Sequence, residues 1–178
     1  MGISTVYFAF MCSTLTLKQA INCTYPHYHK SMKTYTFRTK MILDKNVSRT
    51  IEVAGNKSLY QLAEIIVDAY GFDFDHAFGF YSNLQDPYHD SDEQYELFVD
   101  MEDVDESPGA QSVERTKIDC VWQGAGDKML FLFDYGDDWR FMVELVGVGE
   151  KEQGAKYPRV VKSVGKAPEQ YPDEEYEN

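Results

Sequence analysis

Hydrophobic and polar side chains alternate over the first stretch of the chain with a clear pattern. Within residues 34–43, one side of the alternation holds Tyr35, Phe37, Thr39, Met41 and Leu43, and the other side is mostly polar; this is the period of a strand with one face on a core. Asp44, Lys45 and Asn46 are residues that favour turns. The alternation then resumes over residues 47–53. This pattern predicts a β-hairpin.

The next apolar positions have the spacing of a helix rather than that of a strand. Ser58 precedes them as a candidate N-cap, and Gln61, three residues later, can complete a capping box. Gly71 follows in the position of a C-cap glycine. One face of the predicted helix is formed by Leu59, Leu62, Ala63, Ile66 and Val67.

The second half of the chain contains further strand patterns. The strongest pair is the continuous apolar run at 129–133, typical of a strand covered on both faces, followed by alternation over 139–145. We expect these two to form a second, central hairpin. Weaker patterns predict strands at 76–81 and 95–101, one or two helical turns within 116–123 and a short edge strand at 157–161.

These elements predict an α+β fold with a mixed sheet of about five to six strands. The sheet opens strand-strand-helix, and one main helix packs on one of its faces. We expect a single α+β domain over residues 32–171 and an acidic tail over 172–178. Residues 1–31 form an N-terminal extension, read either as partly disordered or as the product of a mis-assigned start. In the second case translation begins at Met32.

Composition and charge exclude several classes of protein. The chain has 178 residues, of which 43% are hydrophobic, and a net charge of −13. No apolar run approaches the ~20 residues needed to span a bilayer, so we expect no membrane partner. A chain this acidic repels phosphate backbones, so we expect no general nucleic-acid binding. Three cysteines without a C-x-x-C pair make a disulfide framework or a zinc site a poor fit, which favours the cytoplasm.

The acidic residues are concentrated in two places. Residues 86–106 hold ten Asp or Glu and no Lys or Arg, and the last ten residues add five more carboxylates. Such runs are usually solvated loops or tails. The alternative is a docking surface for a basic protein partner.

The predicted turn of the second hairpin carries the candidate chemistry. Its binding candidates are Asp134, Gly136, Asp137, Asp138 and Trp139. Gly and Asp suit a turn that needs positive φ, which is the structural explanation. The chemical explanation is that the three carboxylates converge on a divalent cation. We expect no cofactor under the first explanation, and the metal ligands stay unassigned under the second.

His76 follows Asp73 and Asp75 and could be a general base with an orienting carboxylate. The simpler interpretation is a residue between a loop and a strand. No phosphate loop or nucleophile elbow is present in the chain.

The segment from Phe133 to Trp139, Phe-Asp-Tyr-Gly-Asp-Asp-Trp, resembles the Tyr-Asp-Phe-Gly-Asp-x-Trp signature of the plasmid pRiA4b ORF-3-like family. The resemblance extends over about residues 32–171. Many members have a His two residues after the Trp, where this chain has Phe141. Many also have an ending with a Cys and a Pro-Pro-Glu-Asp-x-Gly-Gly segment, and this ending is absent here. The resemblance implies a mixed α/β domain found with plasmids and mobile elements. It implies no established reaction, so no catalytic residue is assigned.

Two functions remain open at this point. The first is a non-enzymatic protein-interaction module associated with mobile elements. The alternative is a metal-dependent enzyme that uses Asp134, Asp137 and Asp138.

Overall fold

The computed structural model describes residues 32–87, 90–101 and 109–172. The predicted N-terminal extension and nearly all of the predicted acidic tail lie outside these residues. Two helices and a short 3-10 helix accompany the strands in these ranges. The strands are β1 (Lys33–Met41), β2 (Ser48–Ala54), β3 (Phe78–Tyr81), β4 (Gln94–Glu96), β5 (Gln111–Ser112), β6 (Lys128–Phe133), β7 (Trp139–Glu150) and β8 (Arg159–Val164). The helices are α1 (Leu59–Tyr70), the 3-10 helix (Leu97–Asp100) and α2 (Ile118–Val121).

All eight strands belong to one sheet, in the order β5-β4-β3-β6-β7-β1-β2-β8. Neighbouring strands are antiparallel except β4 and β5, which are parallel. The two predicted hairpins are confirmed as β1–β2 and β6–β7, and the second lies centrally in the sheet. The predicted edge strand is also confirmed, because β8 is the last strand at one side.

The predicted α+β class with five to six strands is wrong. The described chain is mostly sheet, with eight strands and only one helix longer than a single turn. One strand was missed because Gln111 and Ser112 form a strand too short to show an alternating pattern. The strand predicted over 95–101 is also shorter than expected, because it ends at Glu96 and the chain continues as a 3-10 helix.

Helix α1 has the ends that its sequence predicts. The Ser58 side chain accepts a hydrogen bond from the backbone N–H of Gln61, and the Gln61 side chain accepts one from the backbone N–H of Ser58. This reciprocal pair satisfies two donors that have no partner within the helix. Gly71 ends the helix with φ of 76°, in the left-handed region that glycine adopts without steric cost.

The core lies between α1 and one face of the sheet, and aromatic rings dominate its centre. The fully buried ring of Phe131 lies 4.8 Å from the ring of Phe80 and 5.8 Å from that of Phe141. Burying one such side chain contributes about 1.5–3 kcal/mol. The apolar face of α1 is completely buried against this layer at Leu59, Leu62, Ala63, Ile66 and Val67.

The opposite face of the sheet is covered only in part. Around β3 and β6, a small second cluster buries Tyr81, Leu130 and Leu132 beneath Ile42, Leu84 and Tyr135. The same face of β1, β2 and β7 carries polar and charged side chains. Within the described ranges, no helix has the length and apolar character needed to cross a bilayer.

Candidate functional site at the hairpin turn

The β6–β7 turn is organised around the buried carboxylate of Asp134. Its Oδ1 accepts hydrogen bonds from the backbone N–H groups of Gly136, at 2.9 Å, and Asp137, at 3.3 Å. The backbone N–H of Asp138 donates to the carbonyl of Asp134 at 2.7 Å. Asp134 therefore closes the turn with its side chain as well as with its backbone.

Positive φ occurs in this turn, but at the aspartates rather than at the glycine. Asp134 and Asp138 both have φ of 57°, in a region that Asp tolerates better than most residues. At Gly136 the space for a side chain is tight instead. A Cβ atom there would lie 3.2 Å from Oδ1 of Asp134, against the oxygen that holds the turn together.

The three turn carboxylates do not converge. Asp134 is occupied by the turn amides, while Oδ1 of Asp138 lies 2.7 Å from Nε of Arg140 in an ion pair. Asp137 is exposed to solvent. Within residues 32–87, 90–101 and 109–172, no three His, Cys, Asp or Glu side chains are grouped so that they could hold a metal ion.

The fifth candidate, Trp139, is partly buried and packs against Phe72. Its ring lies edge-on to that of Phe72, with 4.9 Å between centroids, and so joins the turn to the loop after α1. Its indole Nε1 is buried without a hydrogen-bond partner in the described part of the chain. Tyr135 points to the other face of the sheet, where its hydroxyl lies 2.7 Å from that of Tyr81.

His76 joins the turn to the loop between α1 and β3. Its Nε2 lies 3.5 Å from Oδ2 of Asp134, and its Nδ1 lies 2.8 Å from Oδ1 of Asp75. The imidazole is thus held between two carboxylates that are 59 positions apart in the sequence numbering. The sequence prediction paired His76 with Asp75 but did not connect it to the turn.

A residue of the C-terminal segment, Tyr171, also contacts Asp75 and His76, and the sequence analysis did not predict this contact. The Tyr171 hydroxyl lies 3.0 and 2.9 Å from the two carboxylate oxygens of Asp75 and 3.2 Å from Nδ1 of His76. Gln170, which is buried, accepts a hydrogen bond from the backbone N–H of Asp73 at 2.6 Å and donates to the Asp73 carbonyl at 3.1 Å. The only local signal was an aromatic residue beside a Gln in an otherwise acidic segment.

The electrostatics of the group are dominated by negative charge. The hydrogen bond to Asp75 raises the pKa of His76, and the charges of Asp134 and Asp137 raise it further, against a smaller opposing effect of desolvation. Partial burial, the hydrogen bond to Asp75 and the same carboxylates raise the pKa of Tyr171 to about 12. We call Asp75, Asp134 and Asp137 the acidic rim. Its field favours a positively charged group in this position.

Comparisons with known proteins agree with this architecture. A family model described as plasmid pRiA4b ORF-3-like protein matches residues 33–173. The chain is also similar to the crystal structure of a protein of unknown function, MM3350, from Methanosarcina mazei Go1. That match has a TM-score of 0.60 and 18% sequence identity, and it covers 75% of this chain and 71% of that one. At this identity the likeness shows the fold alone. No curated protein matches the chain.

Proposed function

Because this chain belongs to the plasmid pRiA4b ORF-3-like family, and because its β6–β7 turn and the loop before β3 together form an acidic rim, we propose that it is a protein-interaction module. In this proposal the rim binds a basic segment of a partner protein and performs no reaction. The association with plasmids and mobile elements that the family name suggests is part of the same proposal.

The observation that carries the proposal is that His76 lies between two carboxylates, 2.8 Å from Asp75 and 3.5 Å from Asp134. Two residues in this position, His76 and Tyr171, both have raised pKa values, and the rim carboxylates contribute to both shifts. Asp137 is exposed, so its charge is available to an incoming Lys or Arg side chain. A partner cation would meet the same field that raises the pKa of the imidazole.

The metal-dependent enzyme is the weaker candidate on the same geometry. A divalent cation at the turn would need oxygens from Asp134 and Asp138. Oδ1 of Asp134 already accepts two backbone hydrogen bonds, and Oδ1 of Asp138 already pairs with Arg140. Metal binding would therefore compete with contacts that shape the turn.

The test is binding of a fluorescent oligo-lysine peptide, measured by anisotropy at several salt concentrations. Asp137→Asn removes an exposed rim charge while leaving the backbone bonds of the turn in place. Since an exposed ion pair is worth about 0.2–1 kcal/mol, we expect this variant to bind about two- to fivefold more weakly. Binding should also weaken as salt rises.

Glu64→Gln is the matched control, because Glu64 is an exposed carboxylate on α1, outside the rim. It removes one negative charge, as Asp137→Asn does, and should leave the affinity nearly unchanged. If Glu64→Gln and Asp137→Asn weaken binding equally, the peptide senses only net charge. Equal weakening would count against the rim as the site, and so would salt-independent binding.

A further inference from the structure

A row of charged side chains crosses the uncovered face of the sheet. Strand pairing places Lys128 opposite Glu144, Glu144 opposite Arg38, Arg38 opposite Thr50, and Thr50 opposite Lys162. The row therefore spans five adjacent strands, β6-β7-β1-β2-β8. With neighbouring strands about 4.8 Å apart, its two end residues are separated by roughly 19 Å. We call Lys128, Arg38 and Lys162 the cationic row.

The alternation of buried residues shows that the row lies on the face opposite α1. Phe37 and Thr39, on either side of Arg38, are both fully buried. The same holds for Val143 and Leu145 on either side of Glu144. Because successive side chains of a strand point to opposite faces, the charged residues between them point away from the core.

The row remains positive after its internal pairing is taken into account. The carboxylate of Glu144 lies 2.6 Å from the Arg38 guanidinium and 3.9 Å from Nζ of Lys128. The hydrogen bond from Arg38 lowers the pKa of Glu144, and the charges of Arg38, Lys128 and Lys40 lower it further. Three cations face one carboxylate, so the row carries two net positive charges, and Lys40 adds a third.

The adjoining positions of this face combine apolar and polar groups. Two residues further along the strands, the pairing aligns Met142, Lys40, Ser48 and Val164. Val164 is 42% exposed, on the edge strand β8. This part of the surface therefore offers both charge and apolar contact area to a partner.

We propose that this face binds a carboxylate-rich segment of a partner protein, laid on the cationic row. The argument is charge complementarity: the chain has a net charge of −13, yet this surface has the opposite sign. A protein segment fits better than a nucleic acid, because the row has no aromatic side chain on which a base could stack. The net charge of the domain also repels a phosphate backbone. This surface is separate from the acidic rim, so the two sites recognise segments of opposite charge.

The experiment measures the anisotropy of a labelled oligo-glutamate peptide with the full chain at low and moderate salt. Lys40→Gln and Lys162→Gln each remove one cation that forms no ion pair in the described structure. Each should weaken binding about two- to fivefold, and the double variant should weaken it by about the product. Both variants should keep the unfolding midpoint of the parent, because neither residue belongs to the core.

Lys45→Gln, in the exposed β1–β2 turn, is the matched control and should bind like the parent. Asp137→Asn, in the rim, should not weaken oligo-glutamate binding either. The proposal is overturned if no binding occurs at low salt, or if Lys45→Gln weakens binding as much as Lys40→Gln does. It is equally overturned if oligo-deoxythymidine binds more tightly than oligo-glutamate, since the face would then prefer a polyphosphate.

Discussion

Replacing Asp134 with Ala tests how much of the β6–β7 turn depends on one side chain. The substitution removes the acceptor of two backbone hydrogen bonds, from Gly136 and Asp137. It also places an alanine at φ of 57°, where its Cβ is unfavourable. Both effects act on the folded state and add in the same direction.

The expected loss of stability can be worked from these contacts. Each hydrogen bond contributes about 1 kcal/mol net, because the exposed amides of Gly136 and Asp137 can bind water instead. The left-handed conformation adds about 1 kcal/mol for Ala relative to a residue that tolerates it. Together we expect about 2–4 kcal/mol, or roughly 5–15 °C in Tm for a domain of this size.

The assay is urea unfolding followed by tryptophan fluorescence, with ΔΔG taken from the shift of the midpoint at constant slope. Asp134→Asn keeps an oxygen acceptor and tolerates positive φ, so it should cost less than about 1 kcal/mol. Asp44→Ala is a control for the loss of an exposed side-chain bond, since the Asp44 carboxylate accepts from Asn46 N–H at 2.9 Å. The reasoning is refuted if Asp134→Ala is as stable as the parent, or if Asp134→Asn is as damaging as Asp134→Ala.

Two further predictions concern the N-terminal end of α1 and the imidazole of His76. Ser58→Ala removes the N-cap acceptor of α1 and should cost about 1 kcal/mol in urea unfolding, whereas Ser58→Asp should retain most of the stability; an unchanged midpoint for Ser58→Ala would contradict the capping role. Because the pKa of His76 is raised and that of Asp75 is lowered, their pair stabilises the fold fully between the unfolded-state values of about 3.9 and 6.5. This contribution declines as pH rises through the raised pKa of His76 and as pH falls through the lowered pKa of Asp75. Asp75→Asn should therefore lower the pKa of His76 in an NMR titration and reduce the stability difference between about pH 5.5 and about pH 8.5; an unchanged His76 pKa in that variant would show that the pair is not formed.

The sequence predicted the elements with strong periodicity and failed where periodicity was short. Helix α1 was predicted with both caps because five apolar residues at helical spacing lie between Ser58 and Gly71. Strands β6 and β7 were predicted equally clearly, because a continuous apolar run and a long alternating pattern are both typical of strands. Strand β5, with two residues, has too few positions to define a period, and its parallel pairing with β4 depends on tertiary contacts alone.

The candidate site shows the same division between local and distant information. The motif correctly located a turn in which Asp residues adopt positive φ, because those preferences belong to single residues and their neighbours. The expected reason for the glycine was incomplete: Gly136 does not have a positive φ, and a Cβ atom there would make a tight contact with Asp134. The partners of the carboxylates could not all be predicted from neighbouring residues. Arg140 lies only two residues after its partner Asp138, but His76 contacts Asp134 from a different strand connection.

The pairing of strands that are distant in the sequence also explains why the acidic rim was not predicted. Its members become neighbours only because β3 pairs with β6, which sets the start of one strand beside the end of the other, with Phe78 opposite Phe133. The Asp134 N–H then donates to the carbonyl of Ala77 at 3.0 Å, and His76 comes within reach of the turn. The pattern of charges along the chain does not predict this strand pairing, because the pairing is determined by which apolar faces are buried together. The field of the rim is therefore a property of the sheet register, and a one-residue slip of β3 against β6 would abolish it.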